Sequence, residues 1–217
     1  MVCFSTIFAD GLALNTSSMN KALLLIDIQN DFLPGGALAV KEGDRVVEVA
    51  NRLMPQFDLV IATKDWHPAD HGSFAAQHPG KKPGNLIDLH GINQILWPIH
   101  CVQHTTGADF APGLNTKGIH KVIYKGMNVK VDSYSAFFDN GRRIKTELDE
   151  FLTTSGIRHL VIMGLATDYC VKFSVLDALD LGYQVTVIKA GVRAVNLHES
   201  DGDQALEEMS IRGAEIH

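Results

Sequence analysis

The sequence predicts a doubly wound α/β fold: a mainly parallel sheet of about six strands with helices on both faces. Three observations carry this. Short, almost continuous apolar runs such as Ala22-Leu-Leu-Leu-Ile26 suit parallel strands covered on both sides. Segments with helical spacing of apolar residues lie between those runs. Residues able to do chemistry fall just after successive runs, at the strand ends where open α/β sheets bind ligands.

The elements follow in order. The first strand, 22–26, ends in Asp27-Ile-Gln-Asn-Asp-Phe32 and a Leu33-Pro-Gly-Gly36 turn. Residues 44–54 place Val46, Val47, Val49, Ala50 and Leu53 at helical spacing, and Pro55 closes that helix. The second strand is 59–62. From 63 to 118 the periodicity dissolves into a segment rich in His, Pro and Gly, and a connection of that length is usually a site-forming insertion. The third strand is 120–124, a helix covers 141–152, and the fourth strand is 159–163. Thr167 or Asp168 suits the N-cap of a helix running to Leu181. A fifth strand at 184–188, a last helix at 202–209 and a short final strand at 214–217 complete the chain.

Composition narrows the function classes. The 217 residues are 46% hydrophobic and 20% charged, an ordinary globular balance with ample material for a core. A net charge of -6, with no basic block beyond Arg142-Arg143, argues against a nucleic-acid partner. No apolar run approaches the roughly 18 residues of a membrane span. Cys3, Cys101 and Cys170 make no disulfide framework, which points to a reducing, cytoplasmic setting. Residues 1–18 differ from the rest. Their weak apolar run lacks a basic start and makes a poor signal peptide, while Met19 ahead of Asn20-Lys21 reads as a natural start. We set 1–18 apart as an extension or upstream start and treat 19–217 as a single domain. Nothing in the sequence fixes an oligomeric state.

Gly164-Leu-Ala-Thr-Asp-Tyr-Cys170 sits between the fourth strand and its helix. A strand, a tight turn and a thiol in the first helical turn form a nucleophile elbow that carries sulfur, and the helix N-terminus favours a thiolate. A buried structural thiol fits the same local pattern. The topology adds weight: Asp27, Asp65, Lys125 and Cys170 follow strands one to four at one edge. Asp27 suits a base that takes the thiol proton and later delivers it to a leaving amine. Lys125 would favour the thiolate and keep Asp27 charged. The N–H groups of Ala166 and Cys170 are the natural donors to an oxyanion. A second constellation, Asp65-Trp-His67 with Pro98-Ile-His100, offers one carboxylate and two imidazoles. It suits one divalent metal ion, zinc foremost, with iron or manganese as alternatives; polar loop histidines would leave the same trace.

Five motifs occur in order: Ile26-Asp-Ile-Gln-Asn-Asp-Phe32, Thr63-Lys-Asp-Trp-His-Pro68, Leu96-Trp-Pro-Ile-His-Cys101, Tyr124-Lys-Gly126 with Asp132-Ser-Tyr-Ser-Ala-Phe137, and the Cys170 turn. Together, from about Met19 onward, they resemble the nicotinamidase (pyrazinamidase) family of isochorismatase-like cysteine hydrolases. The resemblance implies a catalytic triad of Asp27, Lys125 and Cys170, and a thioester formed as ammonia leaves nicotinamide. It implies metal ligands Asp65, His67 and His100, with the metal on the pyridine nitrogen, and Phe32 and Trp97 flanking the ring. It also implies a cis Leu165–Ala166 peptide and a place in NAD salvage. His71 could add a ligand but stays outside the implied set. Two other readings remain: a related hydrolase of another small amide or carbamoyl compound, and a non-catalytic protein on this fold.

Overall fold

The computed structural model describes residues 20–217. The expectation about residues 1–18 lies outside the described residues, as does Cys3. A six-stranded sheet has the order β5-β2-β1-β6-β7-β8, and every neighbouring pair in it is parallel. The strands are β1 (Lys21–Ile26), β2 (Val60–Asp65), β5 (Lys121–Lys125), β6 (His159–Leu165), β7 (Gln184–Arg193) and β8 (Glu215–Ile216). β2 is buried at all six positions, and β1 and β6 at all but their first. Successive side chains point to opposite faces, so this sheet is covered on both. Helices α1 (Arg45–Leu53), α2 (Leu148–Thr154), α3 (Lys172–Asp180) and α4 (Asp201–Ile211) provide helical connections along the chain. No helix of the described residues is long and apolar enough to cross a membrane.

The centre of the sheet follows directly from the sequence. Leu23, Leu24 and Leu25 of β1 have no exposed surface and lie between Val60–Ala62 on one side and Val161–Met163 on the other. α1 buries Val46, Val49, Ala50 and Leu53, the face expected from their spacing.

Two departures have local causes. The helix expected at 141–152 begins only at Leu148. Before it, the Asp139 carboxylate accepts the N–H groups of Arg143 (2.8 Å) and Ile144 (3.1 Å), and Arg142 adopts a φ of 52°. Side-chain bonds of this kind satisfy the backbone without a helix. The 63–118 segment, expected to be irregular, contains an antiparallel hairpin, β3 (Leu86–Leu89) with β4 (Ile92–Ile95). Its turn places His90 and Gly91 at φ 53° and 85°, the left-handed pair a two-residue hairpin needs. His-Gly lacks the strong Asn-Gly or Asp-Gly signal, which is why the hairpin was not apparent in the sequence.

At Gly164 the pairing of β1 and β6 leaves no room for a side chain. This glycine pairs with Ile26 at a φ of 126°, and a Cβ there would stand 2.1 Å from the Ile26 carbonyl oxygen. Gly164→Ala therefore forces the two central strands apart. We expect a loss of about 3 kcal/mol or more, lowering Tm by roughly 6–12 °C in a thermal melt. A melt unchanged within a degree would show that the strands can part at little cost.

Candidate active site

Strand order brings the chemistry together. β5, β2, β1 and β6 are neighbours, so residues at their carboxyl ends converge at one edge. Asp27 follows β1 with a φ of 45°, Asp65 ends β2, Lys125 ends β5, and Cys170 lies in the turn after β6. Asp65 and Lys125 are register partners. The Lys125 ammonium, fully enclosed, donates to Asp65 Oδ1 (2.5 Å) and to the Ser133 carbonyl (3.0 Å). It also faces Asp27 Oδ2 at 2.8 Å and Cys170 Sγ at 3.4 Å. Thr63 donates to Asp27 Oδ1 (2.5 Å). Gln29 clamps the end of β2, donating to the Asp65 carbonyl and accepting its N–H, each at 2.8 Å.

Burial and charge set the protonation states. Burial works against the charge on Lys125, but Asp27 and Asp65 outweigh it and raise its proton affinity well above the ordinary range. Burial would raise the Asp65 carboxyl; Lys125 and then His67 instead hold it well below the usual carboxylate range. Asp27 goes the other way, its carboxyl pushed up by burial despite Lys125. The Cys170 thiol is pushed well above its ordinary value by burial, and Asp27 and Asp65 add to that against Lys125. The sequence reading expected a thiolate favoured by Lys125 and a charged Asp27. In the structure two carboxylates oppose one ammonium, and both groups are shifted toward holding a proton. Asp27 Oδ2 is buried with no directed hydrogen bond. Asp27, Asp65 and Cys170 present atoms all within 4.8 Å of one another, which puts the Asp27 carboxylate, ion-paired to Lys125, beside the thiol.

The nucleophile turn also differs from expectation. Thr167–Val171 is a single π-helical turn whose N-cap is Ala166, and neither Thr167 nor Asp168 caps α3. The Asp168 carboxylate instead accepts the N–H groups of Val195 (2.9 Å) and Asn196 (2.8 Å), tying the turn to the segment after β7. The Leu165–Ala166 peptide is cis. Cys170, only 5% exposed, and Ala166 line one wall of a pocket of about 330 Å³.

The three expected metal donors converge beside the triad. Asp65 Oδ2 lies 3.5 Å from His67 Nε2 and 3.8 Å from His100 Nε2. Each imidazole is anchored through Nδ1, His67 to the Gly126 carbonyl and His100 to that of Pro98, both at 2.8 Å. Anchoring one ring nitrogen in this way aims the other at a metal. His67 Nε2 is buried without a hydrogen-bond partner, the mark of a donor arranged for something else. Burial would keep His67 neutral, but Asp65 outweighs it and raises its proton affinity above the ordinary 6.5. These residues fit a divalent ion. Gly126 makes the anchor possible, since a Cβ there would meet the His67 ring at 2.4 Å. His71 stands next to His67 with ring centroids 4.3 Å apart, and its Nε2 is also buried and unpartnered. Burial depresses His71 to about 4, leaving a neutral donor within reach of His67 and Asp132. Asp65 thus has one oxygen on Lys125 and the other facing the imidazoles, a link the sequence reading lacked.

The expected ring-binding residues Phe32 and Trp97 line the pocket, together with Asp65, His100, Ala166 and Cys170. Phe32 meets His100 edge-on at 5.6 Å. Asp27, Lys125 and His67 are buried and do not line the pocket. Sequence reasoning missed Leu38, Asp132, Tyr134, Tyr169 and Val195 as lining residues. The Asp132-Ser-Tyr134 stretch, just after the Lys125 strand, was the one available signal.

A six-stranded parallel sheet with helical connections, and a buried cysteine, lysine and aspartate at its carboxyl edge, defines the class: an isochorismatase-like fold. This chain belongs to the isochorismatase family, whose isochorismatase domain matches residues 21–217. Within that family it is 56% identical over 201 residues to the nicotinamidase of Escherichia coli strain K12, covering 91% of this chain and 94% of that protein. It is similar in structure to an Acinetobacter baumanii nicotinamidase/pyrazinamidase, with a TM-score of 0.89, 40% identity, and 92% and 96% of the two chains covered. A Pyrococcus horikoshii pyrazinamidase in complex with zinc gives a TM-score of 0.73 and 35% identity, covering 91% of this chain and 98% of that one.

Two outcomes follow from the geometry. In Lys125→Met the Cys170 thiol loses the ammonium 3.4 Å away, so its alkylation by iodoacetamide near neutral pH should slow by about tenfold or more. Peptide mass spectrometry of the Cys170 segment reads this, and an unchanged rate would mean that Lys125 has another task. His67→Ala should lose bound divalent metal, measured by elemental analysis, while Cys170 still alkylates at a rate near that of the parent protein. Retained metal would remove His67 from the ligand set.

Proposed function

We propose that this chain hydrolyses nicotinamide to nicotinate and ammonia, and pyrazinamide by the same route, in the salvage of the pyridine ring for NAD. One observation carries this reading: the buried Cys170–Lys125–Asp27 set opens onto a pocket for one aromatic ring, with Asp65 and His100 in its wall. The similarity to nicotinamidases supports the choice of substrate. Residues 19–217 act as a single catalytic domain, and the segment 63–118 carries the metal ligands. The cytoplasmic assignment rests on thiol usage, since Cys101 and Cys170 are both free and buried.

In the first half of the reaction, Cys170 Sγ attacks the amide carbonyl while Asp27 takes the thiol proton. The N–H groups of Ala166 and Cys170 receive the oxyanion. Asp27 then passes the proton to the amide nitrogen, the C–N bond breaks, and ammonia leaves a thioester on Cys170. In the second half, water adds to the thioester as Asp27 accepts its proton. The C–S bond breaks, Sγ takes that proton back, and the acid leaves, losing its remaining proton to solvent as the carboxylate. Lys125 remains charged throughout and offsets the charge that moves between Asp27 and Sγ. Phe32 and Trp97 hold the ring between them.

Asp65, His67 and His100 would hold one divalent ion, with zinc best suited to two imidazoles and a carboxylate. When bound, that ion supplies an anchor for the pyridine nitrogen and a positive charge beside the triad. A Pyrococcus relative in complex with zinc supports this assignment.

Ammonia release from nicotinamide tests the reading. Activity should fall after chelation and return with zinc. Cys170→Ala should lose turnover by roughly a thousandfold or more while keeping its metal. Benzamide, which lacks the ring nitrogen, should be cleaved about a hundredfold more slowly, because ring positioning is lost. Benzamide cleaved as fast as nicotinamide, with the same metal dependence, would place the metal at the scissile carbonyl instead.

A further inference from the structure

The substrate pocket is not the largest space near Cys170. An open groove of about 1230 Å³ runs between the β3–β4 hairpin on one side and α3 with α4 on the other. Its apolar surface is exposed: Leu86 is 60% accessible, Leu197 42% and Phe173 38%. Tyr134 and Tyr169 line both this groove and the pocket of about 330 Å³. The two spaces are therefore neighbours separated by tyrosine rings.

The two tyrosines are held differently. The Tyr134 hydroxyl accepts hydrogen bonds from Gln94 Nε2 (2.9 Å) and Trp97 Nε1 (3.1 Å), and its ring packs on Phe173 at 5.4 Å. Tyr134 thereby fixes Trp97. Tyr169, immediately before Cys170, is half-buried and meets Trp97 edge-on at 4.8 Å and Tyr134 at 5.4 Å. Beyond its ring Tyr169 contributes backbone groups to the turn, an N–H on the Ala166 carbonyl at 3.1 Å and a carbonyl that accepts the Lys172 N–H, which any residue supplies. Removing the Tyr169 ring thus opens the wall and leaves the Cys170 turn and the Trp97–Tyr134 pair in place.

We propose that Tyr169 determines substrate size: its ring is the partition that confines the site to single-ring amides and shuts off a groove suited to an apolar or aromatic ring substituent. This inference rests on the amidase reading above. The pocket is the smaller of the two spaces, and joined to the groove it gains room for a second ring.

The zinc-loaded parent enzyme, Tyr169→Ala and Tyr169→Phe would be compared on nicotinamide and on nicotinamides bearing a phenyl group at ring position 5 or 6. The kcat/KM ratio of at least one phenyl amide to nicotinamide should rise by about tenfold or more in Tyr169→Ala, a step typical of a reshaped pocket. It should stay at the parent value in Tyr169→Phe, which keeps the ring. A second readout needs no turnover: the rate of Cys170 modification by N-benzyl iodoacetamide relative to iodoacetamide, read by peptide mass spectrometry, should rise similarly in the Ala variant alone. If Tyr169→Ala does not fold, Tyr169→Leu is read the same way. A rise in the alkylation ratio with no nicotinamide hydrolysis by the parent would sink the amidase reading and leave the partition standing. Nicotinamide hydrolysis with neither ratio moved, or with Phe behaving as Ala does, would overturn the partition.

Discussion

The site is built around one buried charge. Lys125 sits at the end of β5 with its ammonium enclosed between Asp27 and Asp65. An isolated ammonium in that position would be severely penalised, and removing one member of such a set typically costs about 3–5 kcal/mol. The two carboxylates make the charge tenable, and they are available because β1 and β2 end at the same edge as β5. Lys125 in turn contacts the Ser133 carbonyl and the Cys170 sulfur, so a single side chain ties four segments together.

One ammonium does not neutralise two carboxylates, and the surplus negative charge has a direction. Asp65 keeps one oxygen on Lys125 and turns the other to His67 and His100. Those imidazoles are anchored by backbone carbonyls through Nδ1, which leaves their Nε2 atoms facing Asp65. The triad and the metal donors are therefore one electrostatic unit joined at Asp65. Burial pushes the Cys170 thiol up, and the same surplus of negative charge adds to that against Lys125. In the proposed mechanism the thiol proton moves to Asp27 during attack, so the thiolate need not stand beforehand.

The pocket wall answers to a different physics, that of packed rings. Trp97, Tyr134 and Tyr169 meet edge-on, with Tyr134 held by two hydrogen bonds and Tyr169 by ring contacts. Polar groups gather at the strand ends, and packed aromatic rings form the wall beside them.

The sequence by itself determined the sheet, because strands buried on both faces leave nearly continuous apolar runs, as at 22–26 and 159–163. It also determined which residues stand at the carboxyl edge, since Asp27, Lys125 and Cys170 follow those runs directly. The paired motifs carrying Asp65, His67 and His100 marked the second donor set. Other features depend on distances across the fold. The 86–95 hairpin has a weak turn signal, and the missing helix turns at 141–147 were decided by the Asp139 side chain. The pocket lining of Tyr169 and Val195 depends on how the segment after β7 folds back to Asp168. Above all, the double role of Asp65 and the protonation of Cys170 were settled by tertiary structure alone. Burial and the sum of neighbouring charges fix both, and neither can be read from residue order.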